Sequence, residues 1–223
     1  MKNISPREAL AKLKSGNERF VSNVRSIESL APQLRRENLL EGQNPFAVVL
    51  SCSDSRAPSE LIFDCSLGDL FVVRVAGNVV APSIVGSIEY AVEKLEVPLV
   101  AVVGHSRCGA VTATVEYLLK QESSLSENLL DIVSRISPAV TELVTSSELK
   151  MEDLTELAVR ANIRASCNQL RRASRAIEES LLKGQLAIVG AEYLLETGKV
   201  EFFDLPEWKS VSQKEHSAGS APS

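Results

Sequence analysis

Four continuous apolar runs stand out along the chain. They are FAVVLSC (46–52), LFVVRVAG (70–77), PLVAVVGH (98–105) and QLAIVGAEY (185–193), and each is rich in Val, Ile or Leu. A strand with one face in water alternates apolar and polar residues, whereas a strand covered on both faces is apolar throughout. The runs therefore predict a buried parallel sheet with helices packed on its faces.

Helical periodicity fills the segments between these runs. Apolar residues recur at helical spacing in SIVGSIEYAVEKLE (83–96), and GAVTATVEYLLKQ (109–121) follows the third run directly. At the N-terminus, SPREALAKLKSGNERFV predicts an amphipathic helix with Ser5 as N-cap and Pro6 in its first position. The alternation of strand and helix is typical of an α/β fold.

The second half of the chain is mainly helical in pattern. Residues 126–183 predict helices with breaks near Pro138 and at TSSELKMED, and with an end at Gly184. After the fourth apolar run, LLETGKVEFFD (194–204) predicts a turn into a short edge strand.

The predicted fold is α/β, with a mainly parallel central sheet flanked by helices, a short antiparallel edge strand near the C-terminus and an N-terminal helical arm (1–42). We expect a single domain over 1–208, since 223 residues with 44% hydrophobic content suffice for one full core. The small polar residues of 209–223 predict a disordered tail.

Charge and composition exclude several classes of function. The net charge is −5, from 24 Lys plus Arg against 29 Asp plus Glu, and aromatic residues make up only 4% of the chain. Such a chain offers neither a basic footprint nor base-stacking platforms for nucleic acid. The apolar runs are too short to span a membrane, and the N-terminus has no apolar secretory block. We expect a soluble, cytoplasmic protein.

Candidate metal ligands follow two of the predicted strands. Cys52 ends the first apolar run, while His105 and Cys108 lie in GHSRCGA (104–110) after the third. If these strands are neighbours, the three side chains converge at the carboxyl edge of the sheet, where α/β proteins bind ligands. Two thiolates and one imidazole suit Zn²⁺. A satisfied core histidine and buried structural thiols are the alternative interpretation.

Asp54 and Arg56 extend the polar stretch that begins at Cys52. Asp54 either closes the metal site as a fourth ligand or stays outside and accepts a hydrogen bond from a metal-bound water, with Arg56 holding it ionised. The two residues could also form an ordinary ion pair. Because a zinc-bound water ionises near neutral pH, the predicted reaction class is hydration or hydrolysis. The remaining histidine, His216, lies in the predicted tail, so proton release is expected to depend on buffer.

The other cysteine features are simpler. Four widely spaced cysteines do not form the disulfide frame of a small secreted domain, so we expect reduced thiols. Cys167 is interpreted as structural and Cys65 as a small apolar packing residue, with a redox or additional metal-binding role as the alternative for Cys65. The predicted position of Cys108 at a helix N-terminus favours its thiolate.

SCSDSR together with GHSRCGA resembles the paired signature of the β-class carbonic anhydrases, and GDLFVVRVAGN (68–78) and GSIEYAV (86–92) extend the similarity. The resemblance implies a zinc lyase that hydrates CO₂ reversibly to bicarbonate and a proton, by attack of zinc-bound hydroxide. It assigns one zinc per chain to Cys52, His105 and Cys108. Asp54 and Arg56 would be catalytic, with Asp54 on the metal only in a closed form, and Gly109 would bind substrate. A homodimer or a dimer of dimers is also implied.

Two further consequences of the resemblance concern regulation and substrate. Some members bind inhibitory bicarbonate at a Trp, Arg and Tyr triad, whose counterparts here are Val49, Arg74 and Tyr193. Because Val49 replaces the tryptophan, we expect the open, non-allosteric subtype. The same scaffold also hosts carbon disulfide and carbonyl sulfide hydrolases. A non-catalytic protein with a closed zinc site is a third alternative.

Overall fold

A computed structural model describes residues 4–26, 39–40, 42–120, 124–146 and 149–208. Its centre is a sheet of strands β1 (Ala47–Ser51), β2 (Leu70–Arg74), β3 (Leu99–His105), β4 (Ala187–Tyr193) and β5 (Val200–Phe203). The strand order is β2-β1-β3-β4-β5, and every neighbouring pair is parallel except the antiparallel edge pair β4 and β5. The predicted α/β architecture and its antiparallel edge strand are thus confirmed.

Helices connect and cover these strands. They are α1 (Pro6–Val21), α2 (Ser59–Ile62), α3 (Pro82–Lys94), α4 (Gly109–Leu118), α5 (Glu127–Ser146), α6 (Met151–Arg171) and α7 (Arg175–Leu182), with a 3₁₀ turn (Ala76–Asn78) after β2. Within the described ranges, no helix combines the length and apolarity that a bilayer crossing requires.

The sheet is buried on both faces, as its apolar runs predict. On β1, Val48 and Leu50 pack into the core layer that includes residues of α3 to α7. Ala47 and Val49 point the opposite way, into the layer formed with α1 and α2. All four side chains are inaccessible to water. This two-sided burial explains why the strands carry apolar residues at successive positions rather than at alternate ones.

Helix α1 begins and docks through specific contacts. The Ser5 hydroxyl accepts a bond from the Glu8 amide at 3.2 Å, and the Glu8 carboxylate accepts one from the Ser5 amide at 2.7 Å, which together form a capping box. Gly16 faces the end of α2 so closely that a Cβ there would lie 1.9 Å from the carbonyl oxygen of Phe63. The absence of a side chain at Gly16 therefore sets the distance between these helices.

The second half of the chain departs from the sequence prediction at Pro138 and at a break over 172–174, which separates α6 from α7. Pro138 does not break the helix and lies inside α5. Its position is exposed, while Ile136 and Val140 on either side of it are fully buried. Water can bond the carbonyl that lost its amide partner, and core packing on the other face holds the helix together. The predicted end at Gly184 is confirmed, with a left-handed φ of 69° directly after the C-cap of α7.

Some predictions fall outside the described residues. The polar tail at 209–223 lies there, and so do residues 1–3, 27–38 and 41 of the N-terminal arm.

Glu192 on β4 is a fully buried carboxylate. Its Oε2 lies 3.4 Å from Arg160, which also pairs with Glu201, and neither Glu192 oxygen accepts a hydrogen bond within the described part of the chain. Burial raises the pKa of Glu192, and the charges of Glu156, Glu201 and Glu196 add to this shift, whereas Arg160 opposes it.

Substitution of Gly16 tests the packing of α1. A helical Gly→Ala change is normally stabilising, but Gly16→Ala forces a methyl group against Phe63 and should lower the free energy of unfolding by about 1–3 kcal/mol. Gly86→Ala in α3 is the matched control, because its Cβ meets nothing within 4 Å; it should add about 0.5–1 kcal/mol. Urea unfolding of both variants measures the difference. Equal effects would contradict the close approach of α1 to Phe63.

Substitution of Glu192 tests its burial. Since its folded pKa is raised, the native state holds a proton that the unfolded chain releases, and stability is lost as pH rises above the ordinary carboxyl value of about 4.3. Glu192→Gln removes this titration, so its stability relative to wild type should improve from pH 4.5 to pH 8 in thermal unfolding. Glu201→Gln, at the exposed partner of Arg160, is the control. Parallel pH profiles for wild type and Glu192→Gln would refute the assignment.

Candidate metal centre

The adjacency of β1 and β3 brings two of the predicted ligands together. The strands run parallel in a register that pairs Ser51 with Val103. Cys52 comes directly after β1, and His105 is the last residue of β3. Both side chains therefore lie at the carboxyl edge of the sheet, as the sequence predicts.

A tight turn returns the chain to the same place for the third ligand. After His105, the Ser106 amide donates to the carbonyl of Tyr193 at 3.0 Å, and Arg107 adopts a left-handed φ of 54°. The next residue, Cys108, is the N-cap of α4. Cys108 therefore lies at a helix N-terminus, as the sequence predicts.

The three donor atoms form a compact group. The ligand atoms of Cys52, His105 and Cys108 all lie within 4.8 Å of one another, and this is the group of metal-ligating side chains found within the described residues. The two Sγ atoms are 3.9 Å apart. Two thiolates at about 2.3 Å from one tetrahedral zinc would be separated by about 3.8 Å, so the observed spacing matches a shared ion. The three residues are at most 6% exposed.

His105 is oriented as a metal ligand. Its Nδ1 lies 2.9 Å from the carbonyl oxygen of Ser106, which assigns the ring proton to Nδ1. Nε2 is then left with a lone pair, and this buried atom has no hydrogen-bond partner within the described part of the chain. A buried unsatisfied nitrogen is costly, and a metal ion between the thiols would satisfy it.

The pKa values of the two thiols shift in opposite directions. The hydrogen bond from Cys108 lowers the pKa of Cys52, and bonds from the amides of Asp54 and Gly77 add to the shift, whereas burial opposes it. The same bond to Cys52 raises the pKa of Cys108, and burial adds to this. Of the two thiols, Cys52 is therefore the more acidic. The amides of Ala110 and Val111 at the start of α4 lower the pKa of Cys108, as the sequence predicts for a helix N-terminus, but the contact with Cys52 and burial outweigh them.

Asp54 and Arg56 form the predicted pair beside this group. Arg56 donates from Nε to Oδ1 of Asp54 at 2.9 Å and from Nη2 to Oδ2 at 2.6 Å, and its own amide also bonds Oδ1. These bonds hold the pKa of Asp54 well below its usual range. Oδ2 also lies 3.8 Å from Nε2 of His105, so the carboxylate borders the donor group while Arg56 engages both its oxygens.

Arg74 has a role that the sequence did not indicate. Its Nε donates to the carbonyl of Cys52 at 3.0 Å and its Nη2 to the carbonyl of Asp54 at 2.7 Å, so it holds the backbone that carries both residues. Its predicted companions are both buried: Val49 in the middle of β1, and Tyr193 in register with His105. The non-allosteric subtype stays a prediction.

Two glycines complete the surroundings. The amide of Gly77 donates to Cys52 Sγ at 3.4 Å. This contact was not predicted from the sequence, where the only indication of it is a glycine shortly after a strand. Gly109 begins α4, and a side chain there would enter open space. Its substrate-binding role stays a prediction.

Comparisons with known proteins agree with this geometry. Residues 47–200 match the carbonic anhydrase family. A carbonic anhydrase of Mycolicibacterium smegmatis is 42% identical over 201 residues, which cover 90% of this chain and 95% of the relative. The structure of the β-carbonic anhydrase CcaA superimposes with a TM-score of 0.70 at 31% identity, covering 87% of this chain and 95% of that one.

A more distant structural neighbour has the same fold. One of two tetrameric β-carbonic anhydrases from the filamentous ascomycete Sordaria macrospora aligns with a TM-score of 0.68 at 21% identity, over 88% of this chain and 98% of that one. The family match covers most of the chain, and the relatives span nearly its whole length. This chain therefore belongs to the carbonic anhydrase family and, by its fold, to the β class.

Proposed function

We propose that this protein is a zinc-dependent carbonic anhydrase, which converts CO₂ and water reversibly to bicarbonate and a proton. The observation that carries the proposal is the donor group itself. Cys52, His105 and Cys108 meet at the sheet edge with a sulfur separation suited to one tetrahedral ion, and the histidine nitrogen that faces them has no other partner in the described chain. Family membership supports the same activity.

The donor set supports zinc as the resident metal. Two thiolates and an imidazole are ligands that zinc favours, and three protein ligands leave one coordination position open. Zinc in such a site supplies hydroxide at neutral pH, because it lowers the pKa of a bound water from about 15.7 to about 7. No covalent enzyme intermediate is then required for attack on a small electrophile.

Asp54 and Arg56 are proposed as the catalytic pair. Arg56 keeps the Asp54 carboxylate ionised and turned beside the donor group rather than onto it. The Asp54 carboxylate retains acceptor capacity at its edge, so it can take a hydrogen bond from the nucleophile and orient its lone pair toward CO₂. A closed site, with Asp54 as a fourth ligand, would require these bonds to Arg56 to break.

Other aspects of the proposal concern assembly and location. We infer a homodimer or a dimer of dimers, since Tyr90 on α3, Leu61 on α2 and Leu67 before β2 are about half exposed, and two relatives of this fold are tetrameric. We also propose that Gly109 lies against the substrate, that residues 1–208 form one domain and that the protein is cytoplasmic.

Replacement of Asp54 tests the proposed mechanism. Asp54→Asn keeps the size of the side chain but loses the charge and one acceptor, so the CO₂ hydration rate in stopped flow should fall about 10²-fold through lost orientation. Zinc content should remain one per chain, because the three ligands are intact. Asp131→Asn is the matched control, since Asp131 forms an equivalent two-bond pair with Arg135 on α5, and it should retain full activity.

Three outcomes would contradict these assignments. Loss of zinc in Asp54→Asn would mean that Asp54 is a metal ligand. An unchanged rate would remove Asp54 from the catalytic pair. A fully zinc-loaded wild type that releases sulfide from carbon disulfide but does not hydrate CO₂ would overturn the proposed function.

Proton release gives a second prediction. The sequence has two histidines, His105 in the donor group and His216 in the region outside the described residues. Because His105 is committed to the metal, external buffer must accept the proton, and the hydration rate should rise with buffer concentration. His216→Ala should show the same dependence. A rate that is constant from low to high buffer would refute this prediction and indicate an internal proton acceptor.

A further inference from the structure

Cys52 receives a backbone hydrogen bond from a turn outside the metal-binding motifs. The amide of Gly77 donates to its Sγ at 3.4 Å, and Gly77 lies at the centre of the 3₁₀ turn Ala76–Asn78. Hydrogen bonds to a thiolate withdraw electron density from sulfur and fix its direction, so they tune the bond that sulfur makes to a metal.

The turn favours glycine at this point. Gly77 has a left-handed φ of 66° and ψ of 17°, and a Cβ there would lie 2.8 Å from Ile136 and 3.2 Å from Ala110. Residues of α4 and α5 thus pack against one side of the turn. These contacts restrict where the turn can lie, and the Asn78 amide closes the turn by donating to the Val75 carbonyl at 3.0 Å.

A buried side chain on α6 bonds the carbonyl of Gly77. Asn162 is 2% exposed, and its Nδ2 donates to the carbonyl oxygen of Gly77 at 2.8 Å. One helical turn later, Ser166 donates to the carbonyl of Asn78 at 3.2 Å. The two bonds differ in what they fix: Asn162 holds the same residue whose amide bonds Cys52, whereas Ser166 holds the next residue.

We propose that Asn162 is a positioning residue for the metal centre, which acts on Cys52 through the peptide backbone of Gly77. The inference rests on the proposed zinc site and adds a residue of α6 to it. The bond from Asn162 holds the carbonyl of Gly77 and so keeps the turn in place. The Gly77 amide then points at the Cys52 Sγ. This hydrogen bond fixes the direction of the sulfur and its strength as an electron donor to the metal. Without the bond from Asn162, the turn can rotate, and the hydrogen bond from the Gly77 amide to the Cys52 sulfur lengthens.

Cobalt and zinc binding test the proposal apart from activity. With Co²⁺ in place of zinc, a weaker hydrogen bond raises the energy of the sulfur lone pair, so Asn162→Ala should shift the thiolate-to-cobalt absorption band to longer wavelength. In chelator competition, zinc affinity should fall about tenfold, which is the smaller end of the loss expected when a hydrogen bond that supports a metal ligand is removed. If Asn162→Ala fails to fold, Asn162→Ser, whose hydroxyl stops short of the Gly77 oxygen, serves the same measurement.

Ser166→Ala is the matched control. It removes a buried bond from the same helix to the same turn, so its cost in urea unfolding should resemble that of Asn162→Ala, while the cobalt band and zinc affinity stay at wild-type values. A general structural role for Asn162 would move both variants together, and that outcome would overturn the proposal. So would an unchanged band and affinity in Asn162→Ala. A wild type without any thiolate-to-cobalt band would instead refute the proposed metal site itself.

Discussion

The metal centre depends on the parallel pairing of β1 with β3. Cys52 and His105 are more than fifty residues apart, yet each comes at the carboxyl end of its strand. Parallel strands end at the same edge, so the register of Ser51 with Val103 brings the two side chains within ligand distance. The apolar core on both faces holds that register, because a slip of one residue would turn every buried side chain to the other face.

Around this pairing, the polar groups of the site are fixed by the backbone. Arg74 holds the carbonyls of Cys52 and Asp54, the Ser106 carbonyl orients His105, and the Gly77 amide bonds the Cys52 sulfur. A donor group with this much support is already arranged before a metal binds. Preorganisation of this kind lowers the reorganisation that ligand binding and catalysis require.

Much of the fold could be predicted from the order of residues alone. The apolar runs identified the four parallel strands, and Ser5, Pro6 and Gly184 marked helix ends through their local backbone preferences. Pro138 misled because its exposed position tolerates the missing hydrogen bond, which is a property of the folded surface. The opposite pKa shifts of Cys52 and Cys108 could not be foreseen either, since they depend on the hydrogen bond between two sulfurs 56 residues apart.

The sequence by itself determined which residues can bind a metal. The types of residue and their spacing are enough to identify two thiols, an imidazole and a carboxylate next to a guanidinium as a candidate site. Only the tertiary structure decided how they are held. Asn162 lies within an ordinary amphipathic helix, and nothing near it in the sequence indicates a partner. Its bond to Gly77 spans 85 residues and exists because α6 packs across the sheet above the turn. Such contacts depend on the relative placement of elements, which local residue preferences do not encode.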